Sequence, residues 1–231
     1  MKFSVNQKDL QNSLNYCQGV VEKRSTLPIL SNVLLEAKNE NLKITATDLD
    51  LIFIQNISNI EITEEGETTT SCSIMYDIVR KFNNEKKVNF NLVSENKINL
   101  ESDKSSFNLN CLKASEFPIT ESDFNENKFL LNSKKLLKLL NKCKFSVSSD
   151  ETRHYLSGIF LHLTDNEEKK FLTAVATDSH RMAISKTLLS EEINFEPVIL
   201  PKKTIFQLCS LLDDYDGDVK ISNIKTKIKF E

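Results

Sequence analysis

Two spacings of apolar residues alternate along the chain and predict strands interrupted by short helices. Alternation with period two, as at Phe107, Leu109 and Cys111, predicts strands. A spacing of three or four, as at Leu10 and Leu14, predicts helices. In the first half we therefore expect helices near 7–18 and 73–83, and strands near 2–5, 30–36, 41–47, 51–57, 67–72, 87–93, 96–101 and 105–111.

The same pattern recurs about halfway along the chain. Lys2-Phe3-Ser4-Val5-Asn6 is matched 126 positions later by Lys128-Phe129-Leu130-Leu131-Asn132. Other matches at steps of 126 or 130 pair Leu10, Leu14 and Cys17 with Leu136, Leu140 and Cys143, Ala46-Thr47-Asp48 with Ala176-Thr177-Asp178, and 96–101 with 226–231. A repeat of this length predicts a duplicated module, a strand–helix–strands unit occurring twice in each domain.

The repeat also predicts the domain organisation. We expect a first domain at 1–121, a linker at 122–127 and a second domain at 128–231, because the linker segment is polar, acidic and aperiodic. The strand expected near 105–111 has its counterpart near 237, beyond Glu231. Since a sheet without its edge strand exposes backbone hydrogen-bonding groups, we expect a second domain truncated at its C-terminal end.

Composition narrows the class of protein. The 231 residues are 39% hydrophobic and contain no apolar run of about eighteen residues, which predicts a soluble, cytoplasmic protein with no membrane partner. The five cysteines are widely spaced without a Cys-x-x-Cys motif, and we interpret them as reduced core residues. The net charge of −3 means that any nucleic-acid binding needs a local concentration of positive charge.

Few residues suggest catalysis. Asp48 with Asp50, or Asp178 with His180, would suit metal ligands or an acid–base pair, so a metal-dependent hydrolase using Asp48, Asp178 and His180 is one alternative. Each aspartate also follows a predicted strand, where its side chain would cap a turn. No nucleophile elbow, phosphate-binding glycine loop or zinc motif occurs. We therefore expect no catalytic residues, no metal and no cofactor.

Several segments together resemble a known family over the whole chain. They are Met1-Lys2-Phe3, Lys23-Arg24-Ser25-Thr26-Leu27-Pro28-Ile29-Leu30, both Ala-Thr-Asp segments, Tyr76-Asp77-Ile78, Tyr155-Leu156-Ser157-Gly158 and Thr177-Asp178-Ser179-His180-Arg181. In these the chain resembles the bacterial DNA polymerase III beta subunit, the sliding clamp. The resemblance implies an α+β DNA-clamp fold, in which each domain packs two helices on antiparallel sheets.

The resemblance also implies a function. Clamps of this family have three domains per chain, and two chains close head to tail around duplex DNA as a processivity factor without catalysis. Three repeats would give about 378 residues, so the third domain is expected to be absent here. The implied partners are double-stranded DNA, replicative and repair polymerases, the clamp loader and a second clamp chain, with a nucleoid-associated location. A scaffold without a DNA role is a further alternative.

Sliding on DNA needs positive charge that meets phosphates without reading bases. A lysine row with a four-residue spacing, Lys134, Lys138 and Lys142, meets that need, and Ser133 would be its helix N-cap. The alternative is that these lysines only form the solvated face of an amphipathic helix. The second helix of the domain would have Pro201 in its first turn. With the resemblance, the expected DNA-binding residues are Arg24, Lys134, Lys138, Lys142, Arg153, Tyr155, Lys202 and Lys203.

Two further sets follow from the resemblance. Polymerases of the family dock a short peptide into an apolar pocket on the second domain, which here corresponds to Leu156, Thr177, His180, Arg181 and Met182. In the family a small apolar cluster joins the two chains and closes the ring, and the corresponding residues here are Ile78, Phe82 and Phe107. For the apolar members of both sets, burial in the core is the alternative.

Overall fold

The computed structural model describes residues 1–24, 26–119, 124, 128–150, 152–166, 169–190, 193–224 and 227–231. The chain divides into two compact units, unit one at Met1–Thr120 and unit two at Glu121–Glu231. Apart from Phe124, the predicted linker at 122–127 lies outside the described residues.

The described residues of unit one form two α-helices and nine strands. The helices are α1 (Gln7–Gln18) and α2 (Cys72–Val79). The strands are β1 (Lys2–Asn6), β2 (Asn32–Lys38), β3 (Asn41–Thr47), β4 (Ile52–Ser58), β5 (Glu61–Glu64), β6 (Gly66–Ser71), β7 (Lys87–Ser94), β8 (Lys97–Ser102) and β9 (Ser105–Leu112). They form one antiparallel sheet in the order β4-β3-β2-β6-β9-β8-β7-β1-β5.

Two features of unit one differ from the sequence prediction. Strand β5 was not predicted, because the segment Glu61–Glu64 has a single apolar residue and gains its order by pairing with β1. Helix α2 was predicted near 73–83, but it spans Cys72–Val79, and its buried face consists of Cys72, Met75 and Val79. Apolar residues lie on two sides of α2, and their spacing alone does not tell which side meets the sheet.

The described residues of unit two also combine two α-helices with antiparallel strands. The helices are α3 (Ser133–Asn141) and α4 (Lys202–Asp213). The strands are β10 (Lys128–Asn132), β11 (Gly158–Asn166), β12 (Lys169–Thr177), β13 (Met182–Leu188), β14 (Val198–Pro201), β15 (Asp218–Ile224) and β16 (Lys227–Phe230). The described strands form two antiparallel sheets, β10-β15-β16 and β13-β12-β11-β14.

The first helix of each unit begins in the same way. The Asn6 side chain accepts a hydrogen bond from Lys8 N at 2.9 Å, and the Asn132 side chain accepts one from Lys134 N at 3.2 Å. The prediction of Ser133 as N-cap was therefore wrong, since the asparagine before it already supplies the cap. Pro201 was predicted to lie in the first turn of α4, but it is the N-cap, one residue before the helix begins.

Each unit has its own core. Leu10, Leu14 and Cys17 of α1 are fully buried, and so are Leu136 and Leu140 of α3 and Cys143, two residues after the end of α3. All five cysteines are free and buried, which confirms their interpretation as core residues. Burial raises the pKa of the Cys111, Cys143 and Cys209 thiols, so these groups stay protonated and unreactive.

Candidate functional sites

Helix α3 carries a row of lysines along its exposed side. Lys134, Lys138 and Lys142 are all exposed, and the four-residue spacing places them on successive turns, about 6 Å apart along the helix axis. Lys134 Nζ lies 2.7 Å from Asp216 Oδ2. Within the described part of the chain, no carboxylate pairs with Lys138 or Lys142. The uncompensated charge of the row therefore lies toward the C-terminal end of α3.

The start of α4 adds two more lysines in the same unit, and α4 packs against α3. Lys202 is exposed and its Nζ lies 3.3 Å from Ser149 Oγ, while Lys203 is half-buried. A helix N-terminus is the positive end of the helix dipole, so two cations there do not stabilise α4. They do add to the positive field that an anion would meet.

The other predicted DNA-binding residues lie in turns. Arg24 is exposed, and its backbone N–H is 3.4 Å from Glu22 Oε1. Tyr155 is 68% exposed within the short 3-10 turn His154–Leu156. Arg153 precedes that turn and is ion-paired with Asp150. A phosphate would therefore have to compete with Asp150 for Arg153.

The predicted docking residues Thr177, His180, Arg181 and Met182 lie at the hairpin between β12 and β13. Thr177 Oγ1 donates to the Arg181 carbonyl at 2.7 Å. Asp178 Oδ1 accepts from the backbone N–H groups of His180 and Arg181, both at 3.0 Å, and Asp178 Oδ2 accepts from Arg181 Nε at 2.9 Å. The His180 N–H first, and then both donors of Arg181, lower the pKa of Asp178 below its usual range.

Unit one contains the same turn at the matching Ala-Thr-Asp segment. Asp48 Oδ1 accepts from Asp50 N at 3.1 Å and from Leu51 N at 2.7 Å. Thr47 Oγ1 accepts from Leu49 N at 3.0 Å, as Thr177 Oγ1 does from Ser179 N at 3.2 Å. The turn-capping interpretation of both aspartates is confirmed.

The apolar docking candidates differ in exposure. Met182 is 64% exposed at the start of β13, so it is not a core residue. Leu156 is half-buried at the end of its 3-10 turn. A side chain absent from the prediction, Phe145, is 56% exposed, with its ring centroid 5.4 Å from the Arg181 guanidinium. Phe145 therefore places an exposed aromatic ring beside the Arg181 cation of the hairpin.

The predicted ring-closure residues lie partly together in unit one. The rings of Phe82 and Phe107 have centroids 5.9 Å apart at an interplanar angle of 51°. Phe107 is 42% exposed, whereas Ile78 and Phe82 are half-buried and pack against the core. Phe107 is therefore the exposed part of the cluster, while Ile78 and Phe82 contribute to the core.

Comparison with protein-family models matches both halves of the chain. Residues 1–121 match the DNA polymerase III beta subunit, N-terminal domain, and residues 130–231 match the DNA polymerase III beta subunit, central domain. The chain belongs to the DNA polymerase III beta subunit family. The resemblance inferred from the sequence is therefore confirmed.

Individual family members agree with this assignment. The chain is 33% identical to the beta sliding clamp of Caulobacter vibrioides over its whole length, and covers 62% of that protein. A crystal structure of a sliding clamp from Bartonella birtlesii bound to griselimycin superposes on all of the chain with a TM-score of 0.93 and 34% identity, and 62% of that protein is covered.

A crystal structure of the Caulobacter crescentus beta sliding clamp, with PEG bound to a putative beta-motif tethering region, gives a TM-score of 0.94 with 32% identity. The whole of this chain covers 62% of that protein as well. The predicted α+β clamp fold is confirmed, and the chain spans about three-fifths of the length of these family members.

Two observations bear on the other function classes. Among the described residues, no three or more His, Cys, Asp or Glu side chains are grouped so that they could hold a metal ion. Asp48 and Asp178 are also engaged in their turns, so nothing supports the metal-dependent hydrolase alternative. In the described segments, none of the helices has the length and apolar character needed to cross a membrane.

Sequence reasoning missed the partners of the predicted residues. Asp216 pairs with Lys134 across 82 positions, and Asp150 holds Arg153. Phe145 has a signal in the sequence, since it is an aromatic residue just after the lysine-rich helix. The two aspartates have no such signal, because surface acidic residues are common and their pairing depends on the tertiary fold.

Proposed function

We propose that this chain contributes the first two domains of a sliding clamp, a processivity factor that tethers DNA polymerase to duplex DNA without catalysing a reaction. The observation that carries the proposal is the match of both units, over the whole chain, to beta sliding clamps. The proposed partners are double-stranded DNA, replicative and repair polymerases, the clamp loader and a second clamp chain.

The charge distribution supports the DNA part of the proposal. The chain has a net charge of −3, yet α3 and the start of α4 bring Lys134, Lys138, Lys142, Lys202 and Lys203 into one unit. Such a local positive surface attracts phosphates independently of sequence, as a protein that slides along DNA requires. We propose that these lysines face the duplex, with Arg24, Arg153 and Tyr155 as further contacts.

The hairpin end of unit two supports the partner-docking part. Thr177, His180, Arg181 and Met182 share one hairpin, and the exposed Met182 suits a surface that accepts different partners because its side chain is flexible and polarizable. Griselimycin binds the Bartonella clamp, and PEG occupies a putative beta-motif tethering region of the Caulobacter clamp. We propose that Leu156 and the hairpin form a ligand-docking surface of the same kind, and that Ile78, Phe82 and Phe107 serve chain association.

Primer extension tests the proposal. The full gene product, the replicative polymerase and the clamp loader of the same organism are combined on a singly primed circular DNA. We expect long products only when the gene product is present, because tethering prevents the polymerase from dissociating. Product lengths that do not depend on the gene product would refute the proposal.

Two variants refine the result. Lys138→Glu with Lys142→Glu reverses the uncompensated charge of α3 and should shorten the products. Lys169→Glu with Lys186→Glu changes two exposed lysines on β12 and β13, outside the helices, and is the matched control. Equal shortening by both changes would mean that general charge, and not the α3 row, is responsible.

A further inference from the structure

Arg153, which precedes the 3-10 turn His154–Leu156, donates hydrogen bonds to two separate segments of unit two. Arg153 Nε donates to Asp150 Oδ2 at 2.8 Å, and Arg153 Nη1 donates to Ser179 Oγ at 2.8 Å. Asp150 belongs to the same loop, whereas Ser179 lies 26 positions away in the turn between β12 and β13. One guanidinium therefore joins the loop to the hairpin turn.

The turn does not need this contact to form. Ser179 has φ +79°, in the left-handed region, and its unit-one counterpart Leu49 has φ +84°. Both turns are held by the threonine and aspartate of their Ala-Thr-Asp segments. The residue 126 positions before Arg153 is Leu27, whose side chain cannot donate a hydrogen bond. Among the described residues, the contact of an arginine with this turn is therefore a feature of unit two.

Further hydrogen bonds join described residues on both sides of Arg153. The Asp150 carboxylate also accepts from Thr152 Oγ1 at 2.6 Å and Thr152 N at 3.0 Å, and these bonds, with Arg153, lower its pKa below the usual range. The Arg153 carbonyl accepts from Leu156 N at 2.8 Å. Consequently, the position of Arg153 is directly linked to that of Leu156.

We propose that Arg153 is a positioning residue, which fixes the loop bearing Tyr155 and Leu156 against the turn bearing His180 and thereby sets the shape of the docking surface. The inference rests on the proposed docking function and deepens it. It gives Arg153 a second role beside the proposed phosphate contact, since two of its donor groups, Nε and Nη1, are engaged inside the unit. The guanidinium donates these bonds from two different nitrogens of one rigid plane, whereas a lysine ammonium donates from a single nitrogen at the end of a flexible chain, so we do not expect lysine to reproduce both contacts.

A double-mutant cycle tests the contact without any ligand. Arg153→Lys keeps the charge but loses the fork, and Ser179→Ala removes the hydroxyl acceptor. By hydrogen–deuterium exchange, we expect each single change to speed exchange of the 178–182 turn by about three- to tenfold, because partly exposed hydrogen bonds to charged groups contribute modestly. The double variant should exchange no faster than the faster single variant. Independent, multiplying effects, or no change, would overturn the proposal.

Glycine variants separate the contact from backbone strain. Leu49→Gly and Ser179→Gly relieve the same left-handed strain, but only the second removes a hydroxyl group. We expect exchange of the unit-one turn to be unchanged or slower and exchange of the unit-two turn to be faster. Matching responses of the two turns would contradict a contribution from Arg153.

Griselimycin is the ligand probe for the docking role. Wild-type gene product should bind it, and both Arg153→Lys and Ser179→Ala should weaken binding by about three- to tenfold, since a loosened loop must be ordered on binding. If wild type binds no griselimycin, the proposed docking function fails while the exchange cycle still decides on the contact. If wild type and both variants bind equally, the positioning role is wrong even though the contact exists.

Discussion

The lysine row of α3 gives a quantitative prediction, because its members are not equivalent. Each phosphate neutralised in duplex DNA contributes about 0.9 to the slope of log affinity against log salt. Lys138 and Lys142 have no carboxylate partner in the described residues, so replacing both by alanine should reduce the slope by about 1.8. Lys134 Nζ lies 2.7 Å from Asp216 Oδ2. Lys134→Ala should therefore reduce the slope by distinctly less than Lys138→Ala or Lys142→Ala does.

The pairing itself can be tested. Asp216→Asn releases Lys134, and in that background Lys134→Ala should reduce the slope by about 0.9, like the other two lysines. Binding of the full gene product to a labelled duplex is followed by fluorescence anisotropy between about 50 and 200 mM salt. Two unrelated duplex sequences should give the same slopes, and Lys186→Ala is the control.

Two results would refute this reasoning. If the Lys138, Lys142 double variant keeps the wild-type slope, the row does not meet phosphate. If Lys134→Ala has the full effect while Asp216 is present, the ion pair does not compensate Lys134 in solution. Surface pairs often contribute little, so the second outcome measures whether this one persists.

Three further predictions follow from the cores, the hairpin and the aromatic cluster. Leu10→Ala and Leu136→Ala, at matched and fully buried positions, should each lower the free energy of unfolding by about 2–5 kcal/mol in urea denaturation, and a loss of less than about 1 kcal/mol would contradict the packing. The folded pKa of Asp178 is depressed, so its contribution is present above the unfolded value of about 3.9 and is lost as pH falls through the folded pKa. The protection factor of the 178–182 turn, its exchange relative to that of an unfolded peptide at the same pH, should fall over that acidic range, and this fall should be absent in Asp178→Asn. Phe107→Ser, at a 42% exposed position, should weaken self-association in sedimentation while thermal unfolding changes little, and the reverse would make Phe107 a core residue.

Much of the architecture could be predicted from local sequence. The match of residues 2–6 to 128–132 predicted equivalent strands and helices, and the structure has them as β1 with α1 and β10 with α3. The Ala-Thr-Asp segments predicted capped turns, because threonine and aspartate bond to backbone N–H groups only two or three positions away. These hydrogen bonds join residues only two or three positions apart, so the same turn forms wherever the short segment is repeated.

The pairing of distant groups was decided by the tertiary structure alone. Asp216 reaches Lys134 across 82 positions, and Ser179 accepts from Arg153 across 26, neither of which any local pattern indicates. Helix α2 buries Met75 and not Ile74, because the sheet beneath it selects one of two apolar sides. Spacing fixes which residues share a helix face, but only the packing of strands far apart in sequence determines where that face points and which charges meet.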